Sequence, residues 1–334
     1  MSLPYAVRLL CLCLATFFVV HLALGMAAWL LAPAAMRVAR RLRSHAAARL
    51  LLAVRLFPLA ASACLVAGVS VPSYLWLEPR GAEEEVGFAC IAAALVAGVL
   101  GLISTARALR ASVDSFRYSK RSRRLGRLTQ VPGEISPVWV VDDSRANLVL
   151  AGVIRPRILV SRAVVDALSA EQLAVALRHE RAHRVSRDNL KRLLLLLAPE
   201  FFPLSRRGSA LARAWSGYAE RAADDGAVAG DPLRSLSLAE ALVRVARLGP
   251  ASRSLPLATC FTNGTDLPAR VERLLGGVPP GADAARRMPA LRAIATIAAL
   301  AGALALMLRP ATLDGAHRLF EQLMHQAPIG RAAG

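Results

Sequence analysis

The chain has 334 residues, 55% of them hydrophobic, and a formal net charge of +19 at pH 7. This length is sufficient for two or more domains, and the apolar content indicates segments within a lipid bilayer. A basic protein can bind nucleic acid, but here the Lys and Arg residues cluster between apolar runs. We therefore expect no direct nucleic-acid binding.

Four apolar runs are long enough to cross a bilayer, which takes roughly 20 residues in a helix. They cover about 9–32, 56–77, 88–106 and 289–308. The first run is too long for a signal peptide and follows no basic cluster, so we predict a retained helix. The sequence thus predicts four transmembrane helices, with three of them in residues 1–108.

The charges between these runs predict an orientation in the membrane. Six arginines lie at 33–55, between the first and second apolar runs. The segment 78–87, between the second and third runs, is acidic, and the residues after the third run are strongly basic. Lys and Arg accumulate on the cytoplasmic side of membrane proteins. We therefore expect a multi-pass protein of the cell (inner) membrane, with residues from about 107 to 288 in the cytoplasm. Both termini, including a short tail at 309–334, are expected outside.

The cytoplasmic part begins with a basic stretch at 109–132, which we interpret as a connector to a domain at 133–288. The run PVWVVDD predicts an extended strand. Two short apolar runs follow, at 148–151 and 157–161, around a turn with glycine and proline, and they predict a β-hairpin. A small sheet therefore accompanies a mainly helical chain.

A helix is predicted directly after the hairpin. Ser169 and Gln172 have the spacing of a capping box, and the following AEQLAVALRHERAHRV is rich in strong helix formers. His179 and His183 therefore lie one turn apart on the same helix face. Further helices are predicted over 192–204, 210–230, 235–247 and 267–276.

The stretch HERAH at 179–183 has the HExxH pattern. Two histidines four residues apart can supply two nitrogens to one zinc ion, and Glu180 is placed to take a proton from water activated there. A third ligand is needed, and we expect Glu220 of YAERAADDGAV. Asp224, or alternatively Asp225, can then accept a hydrogen bond from a ligand histidine. The competing interpretation is an ordinary polar helix face whose carboxylates pair with neighbouring arginines.

These motifs in combination resemble a known family. HERAH followed by SRD, the later ExxxD, and the upstream GVIRPRILVS…LSAEQLAVALRHE are similar to the peptidase domain of BlaR/MecR-type membrane zinc metallopeptidases. The resemblance covers roughly 130–280, together with three spans before the domain and one after it. It implies a cytoplasmic α+β gluzincin-type metalloprotease domain held between membrane spans.

By this resemblance the ligands of a single zinc ion fall on His179, His183 and Glu220, and the catalytic glutamate on Glu180. The receptors of the family carry a penicillin-binding sensor after the last span. Here only about 25 residues follow, without an SxxK motif, so we expect no antibiotic sensing by that route.

The expected function is that of a membrane-bound zinc endopeptidase that cleaves a cytosolic protein, such as a transcriptional repressor, or itself. We expect the substrate to add as a strand to an edge at 148–151, and Tyr218 is a candidate to stabilise the oxyanion. One alternative is a catalytically silent signalling scaffold. Another is a membrane zinc protease of the CAAX-processing or heat-shock type.

Overall fold

The structure is a computed structural model, and it describes residues 4–77, 86–130, 137–142, 148–200, 206–249, 257–261, 267–276, 315 and 318. The described part is mainly helical and contains one small mixed sheet. The predicted fourth span at 289–308 lies outside the described residues, as does nearly all of the predicted tail.

Three helices are long and apolar enough to cross a membrane, and they contain the first three predicted spans. They are α1 (Tyr5–Ala39), the continuous helix formed by α2 (Ser44–Leu65), a π-helical turn (Val66–Ser70) and α3 (Val71–Leu77), and α4 (Phe88–Leu125). In the bundle, α1 packs against both α2 and α4. These features are consistent with a membrane protein.

The third of these helices extends far beyond its apolar part. The stretch predicted as a basic connector, 109–132, is helical as far as Leu125 and then forms a strand. Ala111 and Ser115 are buried whereas Arg110 and Arg117 are exposed, so the polar half of α4 keeps one buried face. The third span therefore reaches the sheet as one uninterrupted helix.

Five short strands form the sheet. They are β1 (Gly126–Thr129), β2 (Val138–Val141), β3 (Leu148–Ala151), β4 (Arg157–Ser161) and β5 (Ala258–Cys260), in the order β1-β2-β4-β3-β5. The β2 and β4 strands are parallel and the other pairs are antiparallel. The predicted hairpin at 148–151 and 157–161 is confirmed. The expectation that 148–151 is an edge strand is wrong, because β5 pairs with its outer side.

The remaining helices surround the sheet and follow in chain order. They are α5 (Arg162–Ala167), α6 (Ala170–Ser186), α7 (Asp188–Leu197), α8 (Arg206–Val228), α9 (Pro232–Arg247) and α10 (Leu267–Leu275). The predicted capping box is confirmed at the start of α6. There the Ser169 Oγ accepts a bond from the Gln172 amide at 3.2 Å, and the Ser169 amide donates to the Gln172 side chain at 3.1 Å.

Both faces of the sheet are covered. Leu148 and Leu150 belong to the main apolar core, which includes side chains of α6 and α9. Val149 and Leu159 belong to a smaller cluster on the other face, against which Tyr118 of α4 packs. Because β3 and β4 are buried on both sides, they have continuous apolar runs instead of an alternating pattern.

Through α8, the part of the chain around the sheet also packs against the long apolar helices α1 and α2. Leu211, Trp215 and Ala219 of α8 form a buried cluster with small side chains of α1 and α2. Close by, Arg55 of α2 pairs with Glu200 after α7 at 2.8 Å. The helix that carries Glu220 is therefore fixed against the bundle of long apolar helices.

The junction between α4 and β1 requires a glycine. A Cβ at Gly126 would lie 2.9 Å from the carbonyl oxygens of Ser122 and Val140, which is closer than ordinary packing allows. We expect Gly126→Ala to lower the midpoint of thermal unfolding in detergent, at a cost of about 1–3 kcal/mol. In the control Gly217→Ala, the new Cβ meets open space on α8, and the midpoint should not fall. Equal midpoints for the two variants would contradict the close approach at the junction.

Candidate metal centre

The two histidines of α6 and Glu220 of α8 converge on one point. The Nε2 atoms of His179 and His183 are 3.1 Å apart, and each lies 3.5 Å from Oε2 of Glu220. Both histidines are fully buried and Glu220 is 6% exposed. The helical spacing places both imidazoles on one face of α6, and the packing of α8 against α6 brings the carboxylate to them.

These separations suit a metal ion. Ligands in a tetrahedron, at 2.0–2.1 Å from a zinc ion, lie about 3.3–3.4 Å from one another. The three observed distances are close to this value, and the three atoms form a group that could hold a metal ion. Two nitrogens and one carboxylate oxygen leave a fourth position, as in zinc sites that bind water or substrate.

The other ring nitrogen of each histidine lies beside a carboxylate. His179 Nδ1 is 3.0 Å from Asp224 Oδ1, and His183 Nδ1 is 2.7 Å from Asp188 Oδ2. Carboxylates in these positions orient both rings so that Nε2 of each faces the shared point. Burial opposes protonation of His183, but Glu220 and Asp188 outweigh it and raise its pKa to about 10. The carboxylates of Glu220 and Asp188 thus favour positive charge at this point.

A left-handed residue between α6 and α7 brings Asp188 to its position. Arg187 has φ 54° and ends α6, so the chain turns and α7 begins at once with Asp188. The other carboxylate oxygen of Asp188 accepts a bond from Lys191 at 2.8 Å. Burial raises the pKa of Asp188, but His183 and Lys191 outweigh this effect and hold it at about 2. The carboxylate is therefore ionised as it orients the histidine.

Replacing Asp188 with asparagine should weaken metal binding, tested with zinc, roughly ten- to a hundredfold, because the anion that orients His183 is lost. Competition with a fluorescent zinc chelator measures this change. Asp225→Asn is a matched control, since Asp225 pairs with Arg273 at 2.6 Å, away from the histidines. An unchanged zinc affinity in Asp188→Asn would contradict the orienting role.

A buried arginine holds the far side of the site. Arg270 of α10 donates to both carboxylate oxygens of Asp224, at 3.0 and 2.7 Å, and to the carbonyl of Phe261 at 3.1 Å. Its Nη1 also lies 3.4 Å from Glu220 Oε2. Burial opposes the charge on Asp224, but Arg270 and His179 outweigh it and hold its pKa at about 2. Arg270 thus contacts both Glu220, a candidate ligand, and Asp224, the carboxylate that lies beside His179.

Glu180 lies beside the ligand group on α6 and is fully buried. Its Oε2 accepts a bond from Thr259 Oγ1 of β5 at 3.1 Å, whereas its Oε1 has no hydrogen-bond partner among the described residues. Burial raises the pKa of Glu180 to about 7. A carboxyl group with this pKa can exchange a proton near neutral pH.

Tyr218, the candidate to stabilise the oxyanion, and Asp225, the alternative to Asp224, make other contacts. Tyr218 packs against the apolar cluster of α1, α2 and α8, with the guanidinium of Arg221 5.4 Å from its ring centre. Asp225 pairs with Arg273, so Asp224 is the carboxylate that lies beside a histidine. Neither contact gives Tyr218 or Asp225 a role at the site.

Three residues of the site were not predicted from the sequence: Asp188, Thr259 and Arg270. Asp188 belongs to the SRD stretch and Arg270 to ARVERLL, and both stretches could have drawn attention to them. Nothing in the sequence marks Thr259, which reaches Glu180 because β5 pairs with β3.

Comparisons with protein-family models, with curated proteins and with solved structures give no match to this chain. The class that the fold and the site define is a protein with three helices able to span a membrane and a buried group that could hold a metal ion.

Proposed function

We propose that this chain is a membrane-bound zinc endopeptidase of the BlaR/MecR type, which hydrolyses a cytosolic protein, a repressor among the candidates, or itself. The convergence of His179, His183 and Glu220, with Glu180 one residue from the first ligand, carries the proposal. The basic ends of the first and third spans support a cytoplasmic location for the domain. We expect one zinc ion in each chain.

A zinc ion held by these ligands would supply Lewis-acid activation of water and of the scissile carbonyl. Glu180 then acts as the base: its free Oε1 takes a proton from the water as the water oxygen attacks the carbonyl carbon. The same carboxyl passes this proton to the leaving nitrogen as the C–N bond breaks. Thr259 holds Oε2, so the acid–base work falls to Oε1.

The strand β5 lies where we expected a substrate. It pairs antiparallel with β3, and its central Thr259 contacts Glu180. The flanking Leu257 and Phe261 are fully buried. A substrate strand beside β3 must therefore displace β5, and the presence of this strand beside Glu180 supports the chain itself as one substrate.

The burial of the site favours a second candidate function. His179, Glu180 and His183 are all fully buried, and an enclosed metal group suits a signalling scaffold that does not cleave. In that case the metal would stabilise the junction of α6 and α8. The two functions differ in whether hydrolysis depends on the metal and on Glu180.

The test measures metal content and cleavage with the intact chain in nanodiscs. We expect one zinc per chain by mass spectrometry of the metal. We also expect fragments of the chain or of an added unfolded protein, which disappear with a zinc chelator and return on adding zinc. Protein without stoichiometric metal would contradict the proposal. Stoichiometric metal without any metal-dependent fragment would favour the scaffold.

A further inference from the structure

A cavity of about 1060 Å³ lies on the side of α6 turned away from Glu180. Its walls come from the start of α2, the outer face of α6, the first turn of α7 and part of α8. Its volume is at the upper end of ligand pockets, which are roughly 300–1,000 Å³. Five cations line it: Arg43, Arg49, Arg178, Arg181 and Lys191.

The positive charge of the cavity is not neutralised by its own walls. The two carboxylates that line it, Asp188 and Asp225, are already bound to neighbouring cations or to a histidine. Within the described part of the chain, Arg43, Arg49 and Arg178 form no ion pair with a carboxylate. These three guanidinium groups are therefore available to an anion from outside.

The cavity is expected to lie near the cytoplasmic surface of the membrane. A helix rises about 1.5 Å per residue, so Arg49 lies about 10 Å before the predicted start of the second span at Leu56. That depth is near the lipid headgroups. A general excess of cytoplasmic cations explains why arginines occur here, but not why separate helices place them around one concave volume.

We propose that this cavity binds a phosphate-bearing anion, either the headgroup of an acidic phospholipid or a soluble phosphate compound. Guanidinium groups bind phosphate oxygens in pairs of parallel hydrogen bonds, and they keep their charge at any physiological pH. Arg49 of α2 and Arg178 of α6, which line the cavity from two different helices, contact the anion.

The test uses the full chain purified in detergent. Inorganic pyrophosphate is the soluble probe, titrated in a calorimeter. Phosphatidylglycerol is the lipid probe, counted on the protein by native mass spectrometry against phosphatidylcholine. One of the two probes should bind to the native chain. The double variant Arg49→Ala with Arg178→Ala should lower the affinity for that probe by at least about tenfold.

The matched control removes the same charge from the exposed side of α4, as Arg110→Ala with Arg117→Ala, and it should leave binding within about twofold. Both arginines of the test pair are exposed and form no ion pair with the residues that the structure describes, so their loss should leave the fold intact. Arg49→Gln with Arg178→Gln replaces the alanine pair if that pair is not recovered as folded protein.

The outcomes separate the two sources. Pyrophosphate binding that depends on the test pair supports a soluble phosphate ligand, and selective phosphatidylglycerol binding that depends on it supports a lipid headgroup. Equal weakening in the test and control pairs would overturn the proposal, because the charge would then act without a defined site. Failure of the native chain to bind either probe would overturn it as well.

Discussion

Replacing Glu180 with glutamine should reduce peptide hydrolysis by about 10²–10⁴-fold while one zinc remains bound. Glutamine has nearly the same shape as glutamate and can still contact Thr259, but it cannot take a proton from water. The three ligand atoms are on other residues, so the metal content should not change. Cleavage is measured by fragment mass spectrometry, and metal by its stoichiometry in the purified variant.

Glu171→Gln is the matched control, because Glu171 is exposed in the first turn of the same helix. It should cleave at the native rate. If Glu180→Gln also cleaves at the native rate, Glu180 is not the base. If neither the native chain nor either variant cleaves while all bind zinc, the scaffold function stands instead.

Replacing Arg270 with methionine should destabilise the folded chain by about 3–5 kcal/mol, the typical cost of leaving one charge of a buried pair without its partner. Asp224 would keep its contact with His179 and a longer one of 3.8 Å with Arg273, and the carbonyl of Phe261 would lose its donor. The midpoint of thermal unfolding, followed by tryptophan fluorescence in detergent, is the measurement. We also expect weaker zinc binding, because Asp224 would no longer be held beside His179.

Arg273→Met provides the comparison on the same helix. Arg273 pairs mainly with Asp225, and both side chains are partly exposed, so its loss should cost about 1 kcal/mol or less. Equal unfolding midpoints for the two variants would show that the buried contacts of Arg270 contribute no more than a surface pair.

Features set by local sequence were predictable. The hairpin of β3 and β4 followed from two apolar runs around a turn, and the start of α6 from the Ser169–Gln172 pair. The spacing of His179 and His183 on one helix required only the helical period. The convergence of Glu220 on this pair was a hypothesis based on residue chemistry, and the geometry agrees with it.

Features that depend on distant pairing were not predictable in this way. The β5 strand has three residues and forms only because β3 offers it a partner more than a hundred residues away, so the local pattern did not reveal it. The burial of Arg270 likewise depends on how α10 meets α8. The helical continuation of α4 was missed because a basic helix that buries only small side chains lacks the apolar periodicity of a core helix.

The uninterrupted helix α4 is longer than a membrane span requires. Its 38 residues extend about 57 Å, whereas the hydrocarbon layer is about 30 Å thick. The remaining length carries no proline, and its Tyr118 packs against one face of the sheet. If the apolar half of α4 spans a membrane, this rigid extension would set the distance between the lipid surface and the buried histidines. For the proposed membrane-bound peptidase, we therefore expect cleavage only of peptide bonds held at that distance from the lipid surface.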